Sequence, residues 1–200
     1  GVMTAACLEA GVPAERLWCL EVGAPADHSE IVTVATDDII TIHSSRAAGA
    51  SRIQDIDRAL EGMNIDRNRD KDVSLADSIE ALGVTLSSDP PLVEPSTAKL
   101  VPLLLAILGV ASCPVMRPDV FQSMMGTAQW FSQLQRYTFS VFHEAYAFQR
   151  TEPAHVATEV PAACVHELLV FLALAPLLSV DIERPVLDLI TCCDASPSYG

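Results

Sequence analysis

The sequence is short of positive charge. It holds 12 lysines and arginines against 26 aspartates and glutamates, which gives a formal net charge of −14 over 200 residues. Proteins that bind nucleic acids on their own present a basic face to the phosphates. The charge balance therefore counts against a stand-alone nucleic-acid-binding protein, although it leaves room for a local basic groove.

The sequence also lacks a clean hydrophobic run long enough to cross a membrane. Its two most apolar stretches, residues 100–113 and 164–180, are interrupted by Pro102 and by the pair His166-Glu167. A membrane span needs about 20 apolar residues, so both stretches are better explained as buried helices. The N-terminus has neither a basic start nor a long apolar core, unlike a signal peptide. We therefore predict an intracellular protein, in the cytoplasm or nucleus, with no membrane partner.

Several catalytic motifs are missing. There is no GxGxxG, GxxxxGK[ST] or GxSxG, so dinucleotide, P-loop and serine-hydrolase functions have no support. His143-Glu144 and His166-Glu167 lack the second histidine of HExxH, which argues against a zinc protease. The cysteines form no CxxC pair and predict free thiols in a reducing compartment. They are Cys7, Cys19, Cys113, Cys164, Cys192 and Cys193.

The first half of the chain predicts strands around one helix. Half of all residues are hydrophobic, enough for a packed core. A helix and loop are predicted over residues 3–22. The β-branched runs Ile31–Ala35 and Ile39–Ile42 predict a hairpin, with Asp37 and Asp38 between its strands. An amphipathic helix follows, because apolar residues recur at steps of three and four; these are Ile53, Ile56, Leu60 and Met63.

The second half predicts helices. Residues 78–95 predict a strand, a break at Asp89-Pro90-Pro91 and another strand. Three helices are then predicted over residues 97–111, 120–150 and 165–178, the first two capped by Ser96 and Asp119. Residues 185–200 predict a strand running into a turn. The fold class is therefore α+β, with a boundary near Asp89–Pro95.

The adjacent carboxylates of Asp37 and Asp38 admit two interpretations. Aspartate is common in turns, so the pair can be a simple polar turn. Alternatively, two carboxylates that repel each other are stabilised by a cation between them. Hard oxygen ligands on a rigid tip can hold two metal ions for phosphoryl transfer.

The surrounding sequence favours the second interpretation. Ala35-Thr36-Asp37-Asp38, followed by apolar residues 39–42, resembles the YxDD strand–turn–strand motif of reverse transcriptases. Further segments resemble, in order, the helix and strand after that motif, the Leu-Gly hairpin that grips the primer, the entry to the thumb, a thumb helix and the first RNase H strand. These segments are residues 52–69, 78–87, 92–100, 121–136 and 188–200.

The resemblance implies a fragment of a polyprotein from a retrotransposon of the LTR or DIRS kind. Residues 1–90 would be the C-terminal part of the polymerase palm, made of β-hairpins and a helix. Residues 91–185 would be a mainly helical thumb and connection region. Residues 186–200 would be the first strand of a truncated RNase H-like domain. The implied activity is RNA- or DNA-templated DNA synthesis, with a template–primer and dNTPs as partners.

The resemblance also assigns roles to residues. Asp37 and Asp38 would be catalytic ligands of Mg²⁺ or Mn²⁺, provided that the complete palm is present. Leu82 and Gly83 would position the primer, and Asp194 would begin the RNase H metal site. Three arginines flanking the aromatic-rich segment are candidates for contact with nucleic acid, namely Arg117, Arg136 and Arg150.

The sequence departs from the family pattern at two positions. Ala35 stands where the motif has tyrosine, and Arg69 stands near the expected lysine. The third palm aspartate is expected upstream of Gly1, and the remaining RNase H carboxylates downstream of the last residue. We therefore expect the fragment to be inactive without the upstream palm and fingers and the downstream RNase H segments. The alternative is a non-catalytic, mostly helical interaction module, or the relic of a decayed retroelement.

Overall fold

A computed structural model describes residues 1–18, 29–35, 38–66, 68–151 and 153–185. The chain has an α+β fold, as predicted, and divides into two compact units, Gly1–Ala81 and Leu82–Gly200. The functional boundaries at residues 90 and 185 stay predictions. The predicted C-terminal strand, with Asp194 and two of the cysteines, lies outside the described residues.

The first unit combines helices with a small sheet. In its sheet, β1 (Leu17–Trp18) runs parallel to β2 (Glu30–Ala35), and β2 runs antiparallel to β3 (Asp38–His43). Val32 is fully buried in the middle of β2, opposite Thr41 of β3. The elements in the described part of this unit are α1 (Val2–Glu9), β1 (Leu17–Trp18), β2 (Glu30–Ala35), β3 (Asp38–His43), α2 (Arg46–Gly62) and β4 (Ser78–Ala81).

The predicted hairpin is confirmed, but its tip is shifted by one residue. Ala35 pairs with Asp38, so Asp38 is the exposed first residue of β3. The prediction that both aspartates lie between the strands is therefore wrong for Asp38. Asp37 itself lies outside the described residues.

The amphipathic helix α2 is confirmed. Its Ile56 and Leu60 are buried together with Ala6 of α1. A second apolar cluster lies where α1 and the sheet meet, and it consists of Cys7, Val12, Leu17 and Val32. The apolar spacing read from the sequence therefore identifies the face of α2 that packs.

The second unit is mainly helical. Its short strand β6 (Leu92–Pro95) pairs antiparallel with β5 (Val84–Ser87) on one side and with β9 (Val180–Asp181) on the other. Two further short strands, β7 (Val115–Met116) and β8 (Thr158–Glu159), pair with each other. The elements in the described part of this unit are β5 (Val84–Ser87), β6 (Leu92–Pro95), α3 (Thr97–Ser112), β7 (Val115–Met116), α4 (Pro118–Ser132), α5 (Glu144–Phe148), β8 (Thr158–Glu159), α6 (Ala162–Leu174) and β9 (Val180–Asp181).

Two sequence predictions about this region are wrong in detail. Residues 78–95 form three strands instead of two, because Leu82 and Gly83 adopt positive φ angles and turn the chain before Asp89. The helix predicted over 120–150 breaks into α4, a 3₁₀ turn and α5. Aromatic residues continue through the break with no glycine or proline to mark it.

One hydrogen bond from a distant residue and one local hydrogen bond hold that break. The side-chain amide of Gln135 donates to the carbonyl oxygen of Ser179 at 2.8 Å. Thr138 is fully buried and donates to the carbonyl of Gln135 at 2.8 Å. Ser179 lies 44 residues from Gln135, so the periodicity of the sequence does not reveal this contact.

Helix caps were predicted with mixed success. Ser96 is the residue that precedes α3, as predicted, but its hydroxyl makes no capping hydrogen bond. The cap of α4 is Arg117, followed by Pro118 in the first helical position, so Asp119 lies inside the helix and not at its cap. Proline is favoured at that first position because it has no N–H to leave unpaired.

The core of the second unit is built from large apolar side chains. Phe121, Phe131 and Phe171 are fully buried, and the rings of Phe121 and Phe148 meet edge to face at 4.9 Å. Most of the aromatic-rich segment therefore serves the core. Trp130 and Tyr137 are the exceptions, because about half of each residue is exposed.

Glu167 of α6 caps α5 from a distance. Its Oε1 accepts hydrogen bonds from the backbone N–H groups of His143 and Glu144, at 3.1 and 2.9 Å, and its Oε2 accepts one from Ala145 at 2.9 Å. The first N–H groups of a helix have no partner within the helix. Glu167 therefore supplies acceptors that no residue of α5 provides.

We predict that Glu167→Ala lowers the free energy of unfolding of the second unit by about 1–2 kcal/mol, because capping N–H groups lose their acceptor. A urea titration followed by circular dichroism measures the change. His166→Ala, at the exposed neighbouring position on the same helix, is the control. Equal effects of the two substitutions would mean that the cap contributes nothing.

In the part of the chain that is described, none of the helices has both the length and the apolar character required to cross a membrane. The described cysteines Cys7, Cys113 and Cys164 are free thiols, as predicted for them. Burial, with the charges of Glu167 and Glu144, raises the pKa of Cys164 to about 11. That thiol is therefore protonated at neutral pH and unreactive.

Candidate functional site

The predicted catalytic pair is described only in part. Asp38 starts β3 with its side chain exposed, and Asp37 lies outside the described residues. Among the residues that the structure describes, no group of three or more histidines, cysteines, aspartates or glutamates could hold a metal ion. The described residues thus bring one carboxylate to the hairpin tip and do not complete a two-metal site. Binding of Mg²⁺ at this tip stays a prediction.

The predicted primer-positioning residues form a two-residue turn. Leu82 and Gly83 have φ angles of 54° and 79°, the combination that a type I′ hairpin turn requires. Glycine adopts such angles freely, whereas a bulky leucine in this conformation is a rare and strained choice. A strained exposed residue is a reason to look for a function there.

Two hydrogen bonds and one close contact hold the turn. The indole Nε1 of Trp130 donates to the carbonyl oxygen of Leu82 at 2.9 Å. The backbone N–H of Ser96 donates to the carbonyl oxygen of Gly83 at 3.0 Å. The side chain of Lys99 lies against Gly83, where a Cβ would come within 2.8 Å of the lysine Nζ. Glycine is therefore favoured at position 83 by its φ angle, whereas the flexible, exposed Lys99 side chain could move aside for a Cβ.

We call Leu82, Gly83, Lys99 and Trp130 the turn surface. Leu82 is 43% exposed, Trp130 is 42% exposed, and Lys99 is exposed. The surface combines an apolar side chain, an aromatic ring and an ammonium group. That combination suits a nucleic-acid strand, because rings stack on bases or sugars and ammonium groups contact phosphates. The sequence predicted Leu82 and Gly83 but did not assign the other two to a site.

The three flanking arginines differ in their surroundings. Arg117 donates to Asp119 through its Nε at 3.0 Å and through its Nη2, and this pairing lowers the pKa of the Asp119 carboxyl. The charge of Arg117 is therefore compensated locally at the start of α4. Arg136 and Arg150 are exposed, at the start of the 3₁₀ turn and just after α5. A nucleic-acid contact by any of the three stays a prediction.

A buried ion-pair network lies in the first unit. Glu30, the first residue of β2, is only 6% exposed. Its Oε1 accepts from the Nε of Arg52 at 2.5 Å, and its Oε2 accepts from Arg52 Nη2 at 3.1 Å and from Arg16 Nη1 at 3.3 Å. Arg52 also donates to the carbonyl of Ala10 at 2.8 Å. One guanidinium thus joins α2 to the sheet and to the end of α1.

His43 completes the network. It pairs with Glu30 across β2 and β3, and its Nδ1 lies 3.9 Å from Glu30 Oε1. Its side chain is 7% exposed, and neither ring nitrogen has a hydrogen-bond partner among the described residues. Its ring packs on Gly49 of α2, where a Cβ would lie 3.3 Å from the His43 Cδ2. A larger residue at position 49 would push the ring.

The environment shifts two pKa values in the same direction. Burial lowers the pKa of His43, and Arg52 adds to that effect while Glu30 opposes it. Burial alone would raise the pKa of Glu30, but the hydrogen bonds and charge of Arg52, assisted by Arg16 and His43, outweigh it and lower that pKa. At neutral pH the site therefore holds a neutral imidazole beside an ionised carboxylate.

A pocket of about 330 Å³ opens beside these residues. Its size is at the lower end of small-molecule sites, and all of its lining residues except Ala48 have polar or charged side chains. We call it the His43 pocket, and its lining residues are Arg16, Ser29, Glu30, His43, Ser44, Ala48, Ser51, Arg52 and Asp55.

Sequence reasoning missed this site. Glu30 and Arg52 are separated by 22 residues, and Glu30 and Arg16 by 14. No motif links charged residues at such distances, and each of them alone is typical of a protein surface. One signal was present, since Glu30 stands at the edge of a β-branched run and His43 at the far end of its partner strand.

We predict that the first unit loses stability as the pH falls below 6.5. Between 6.5 and the lowered pKa of folded His43, the unfolded chain binds a proton that the folded chain does not. The free energy of unfolding therefore decreases through that window, and it decreases further below 4.5 because the pKa of Glu30 is also depressed. Urea midpoints on either side of pH 6.5 measure the effect.

The variant His43→Gln isolates the histidine contribution, and His155→Gln, at an exposed position in the second unit, is its control. The first variant is expected to remove the loss just below pH 6.5, and the second to keep it. An identical pH profile for His43→Gln and the unsubstituted protein would contradict the assignment.

No protein-family model matches the chain, and neither a curated protein nor a solved structure matches it. Functional inference therefore starts from the turn surface, the hairpin tip and the His43 pocket themselves.

Proposed function

We propose that the chain is a piece of a reverse transcriptase from a retrotransposon polyprotein of the LTR or DIRS kind. It would comprise the end of the palm, the thumb and connection region and the start of RNase H. The turn surface carries the proposal. Leu82 is strained, exposed and held in place by Trp130, which fits a turn that must present its backbone and side chain at a fixed position.

The order of the elements supports the same proposal. A hairpin with Asp38 at the start of its second strand is followed by α2, by the Leu82-Gly83 turn and by the helical unit from α3 onward. A polymerase palm and thumb of the proposed family would present these parts in that order. The order of the elements and the resemblance of the sequence motifs both support the proposal.

In the complete enzyme, Mg²⁺ or Mn²⁺ would supply activation of the primer hydroxyl and stabilisation of the leaving pyrophosphate. Asp37 and Asp38 would be two of its ligands. Since the described residues do not complete a metal site, we assign no reaction step to this chain alone. We expect it to be inactive in primer extension until the third palm carboxylate is supplied.

The decisive experiment is to translate the flanking DNA in the same frame and to assay the extended protein by primer extension. An upstream aspartate at the end of an apolar strand, with RNase H carboxylates downstream, is the expected result. In that protein, Asp37→Asn with Asp38→Asn should abolish extension, whereas Asp70→Asn with Asp72→Asn, in another acidic surface turn, should not. Stop codons, or a frame with neither feature, would mean a relic whose acidic pair is a polar turn.

The turn surface can be tested on the chain itself by measuring its affinity for an RNA–DNA duplex. Trp130→Ala is expected to weaken binding by about 1–3 kcal/mol if its ring stacks on the strand. Lys99→Gln is expected to reduce the salt dependence of binding by about one phosphate contact. Trp18→Ala, at the other exposed tryptophan, is the matched control. Unchanged affinity in both turn-surface variants would remove this surface from the proposal.

The arginines are tested in the same assay. Neutralising Arg117, Arg136 and Arg150 together should weaken duplex binding if they reach the template–primer backbone. We expect Arg136 and Arg150 to account for the loss, because Asp119 already compensates Arg117. Unchanged duplex affinity in the triple variant would remove their assignment.

A second candidate function is a non-catalytic interaction module. The observation that favours it is the outer face of α3, where Val101, Leu105 and Leu108 are 45%, 62% and 46% exposed. An apolar helix face of this kind is usually covered by a partner. On this alternative Asp37→Ala with Asp38→Ala leaves function intact and stabilises the fold slightly, because the repulsion between the carboxylates is relieved.

A further inference from the structure

The strand β3 lies at the edge of the sheet in the first unit. Within the described residues, β2 pairs with β1 on one side and with β3 on the other, and β3 has β2 as its only neighbouring strand. An edge strand presents a row of backbone N–H and C=O groups that can pair with a further strand. Since β3 is six residues long, its edge is long enough for a complete strand pair.

The register of the hairpin shows which residues of β3 face outward. Ser44, just after β3, donates its N–H to the carbonyl oxygen of Ser29 at 3.1 Å, so these two residues form a hydrogen-bonded pair. Such pairs alternate with non-hydrogen-bonded pairs along an antiparallel ladder. Every second residue of β3 therefore points its backbone N–H and C=O groups away from β2, and in the described part of the chain these groups have no hydrogen-bond partner. The outward residues are Ile39, Thr41 and His43.

This edge has none of the features that usually prevent strand pairing. Proteins protect edge strands with lysine, proline, inward-pointing charges or a bulge. The sequence of β3, DIITIH, contains no lysine, arginine, proline or glycine. Each of its six residues has one partner in β2, so β3 has no bulge. From Ile39 to Ile42 every side chain is β-branched and uncharged, which favours pairing with another strand.

We propose that the edge of β3 pairs antiparallel with β3 of a second copy of the chain, about a two-fold axis at Thr41. In this arrangement Ile39 of each copy lies opposite His43 of the other. The outward residues of one strand then meet the same residues of the other, so all of their N–H and C=O groups are paired. On the outer face, Ile40 of each copy comes opposite Ile42 of the other, and Ile42 is 47% exposed in the single chain. Cross-strand pairs of β-branched residues stabilise a sheet.

The charges along the strand are compatible with this pairing. The only acidic residue of β3 is Asp38, its first residue, and in the antiparallel pair it lies opposite Ser44 of the other copy. The two Asp38 residues are then about 20 Å apart, at about 3.4 Å for each residue of strand. That distance exceeds the Debye length of about 8 Å at physiological ionic strength. The net charge of −14 on each copy still opposes association, so added salt is expected to strengthen the dimer.

A single strand pair makes a small interface. A standard interface buries about 800 Å² on each partner, whereas this one offers the backbone bonds of six-residue strands and the contacts between their isoleucines. The dimer is therefore weak, and its population depends on the protein concentration. The proposal concerns β3 alone and does not depend on the reverse transcriptase assignment.

The test combines sedimentation velocity of the whole chain with amide hydrogen exchange. Sedimentation is expected to show a monomer–dimer equilibrium that moves toward the dimer as protein or potassium chloride concentration rises. Over the same range, exchange of the amides of Ile39, Thr41 and His43 should slow more than that of Ile40 and Ile42, whose N–H groups are already bonded to β2. A chain that stays monomeric up to about 1 mM would overturn the proposal. A dimer without this alternating protection would overturn it as well, because another surface would then form the interface.

Two pairs of variants locate the interface. Thr41→Pro removes an outward N–H from each copy and leaves the bonds to β2 in place, and proline is tolerated at such edge positions. Dimer affinity should fall roughly tenfold or more, whereas Thr41→Val keeps the N–H and should leave it unchanged. Ile42→Lys places a charge at the edge and should also weaken the dimer, and Leu105→Lys makes the same charge change on the exposed face of α3 as its control. If Thr41→Pro does not fold, the lysine pair decides. Loss of the dimer in Leu105→Lys but not in Ile42→Lys would assign the interface to α3 and contradict the proposal.

Discussion

Replacing Arg52 by alanine is expected to lower the free energy of unfolding of the first unit by about 3–5 kcal/mol, because it leaves a buried carboxylate without its main partner. Among the described residues, Arg52 supplies two of the three side-chain hydrogen bonds to the Glu30 carboxylate, and it also donates to the carbonyl oxygen of Ala10. Urea titration with the amide signals of Val32 and Ile56 as reporters confines the measurement to this unit.

Two further variants decide the cause of that loss. Arg58→Ala removes an arginine from the same helix, but its pair with Asp55 is exposed, so a change below about 1 kcal/mol is expected. Adding Glu30→Gln to Arg52→Ala should restore part of the stability, since the buried charge is then gone. If the double variant is as unstable as Arg52→Ala, the lost packing of the arginine, and not the unpaired carboxylate, is responsible.

Replacing Phe121 by alanine is expected to lower the free energy of unfolding of the second unit by about 3–5 kcal/mol. Phe121 is fully buried and contacts the ring of Phe148 edge to face, so its removal leaves a cavity and deletes an aromatic pair. The amide signals of Ile107 and Leu168, both in the same core, report the transition in urea.

The neighbouring Val120→Ala is the matched control for that prediction. Val120 lies on the same turn of α4 and is 47% exposed, so its truncation should change stability by less than about 0.5 kcal/mol. A loss at Phe121 no larger than the loss at Val120 would mean that the core around α4 relaxes and fills the space. The two positions differ in burial while sharing helix and neighbours, which makes the comparison direct.

The sequence predicted the helices and strands that are determined by residues close together along the chain. Apolar spacing located α2, the apolar run after Ser96 located α3, and two β-branched runs located β2 and β3, because these signals depend on neighbours a few residues away. The prediction of one helix over 120–150 was wrong, since the break is held by Ser179 and Glu167 from other parts of the chain. Contacts with residues this far away do not change the apolar periodicity of the sequence, so the periodicity cannot predict the break.

In the candidate sites, too, residues with a local sequence signal were predicted, and residues brought together by tertiary contacts were not. Leu82 and Gly83 were predicted from a two-residue resemblance, and the strained φ of Leu82 is compatible with a special role there. Trp130 donates a hydrogen bond to this turn from 48 residues away in the sequence, and no local sequence pattern predicts such a contact. Glu30 and His43 lie just outside the predicted strands, and only the pairing of β2 with β3 brings them face to face.

The reach of Arg52 has a consequence for synthesis on the ribosome. Its bonds run to Glu30, 22 residues earlier, and to Ala10, 42 residues earlier. The chain emerges N-terminus first, so α1 and β2 leave the exit tunnel well before the side chain that anchors them. Glu30 stays hydrated during that delay, and the unit closes in one late step when α2 arrives instead of growing segment by segment. A ribosome stalled with Arg52 still inside its exit tunnel should therefore display a nascent chain whose emerged residues proteases cut readily, as expected for an unfolded segment.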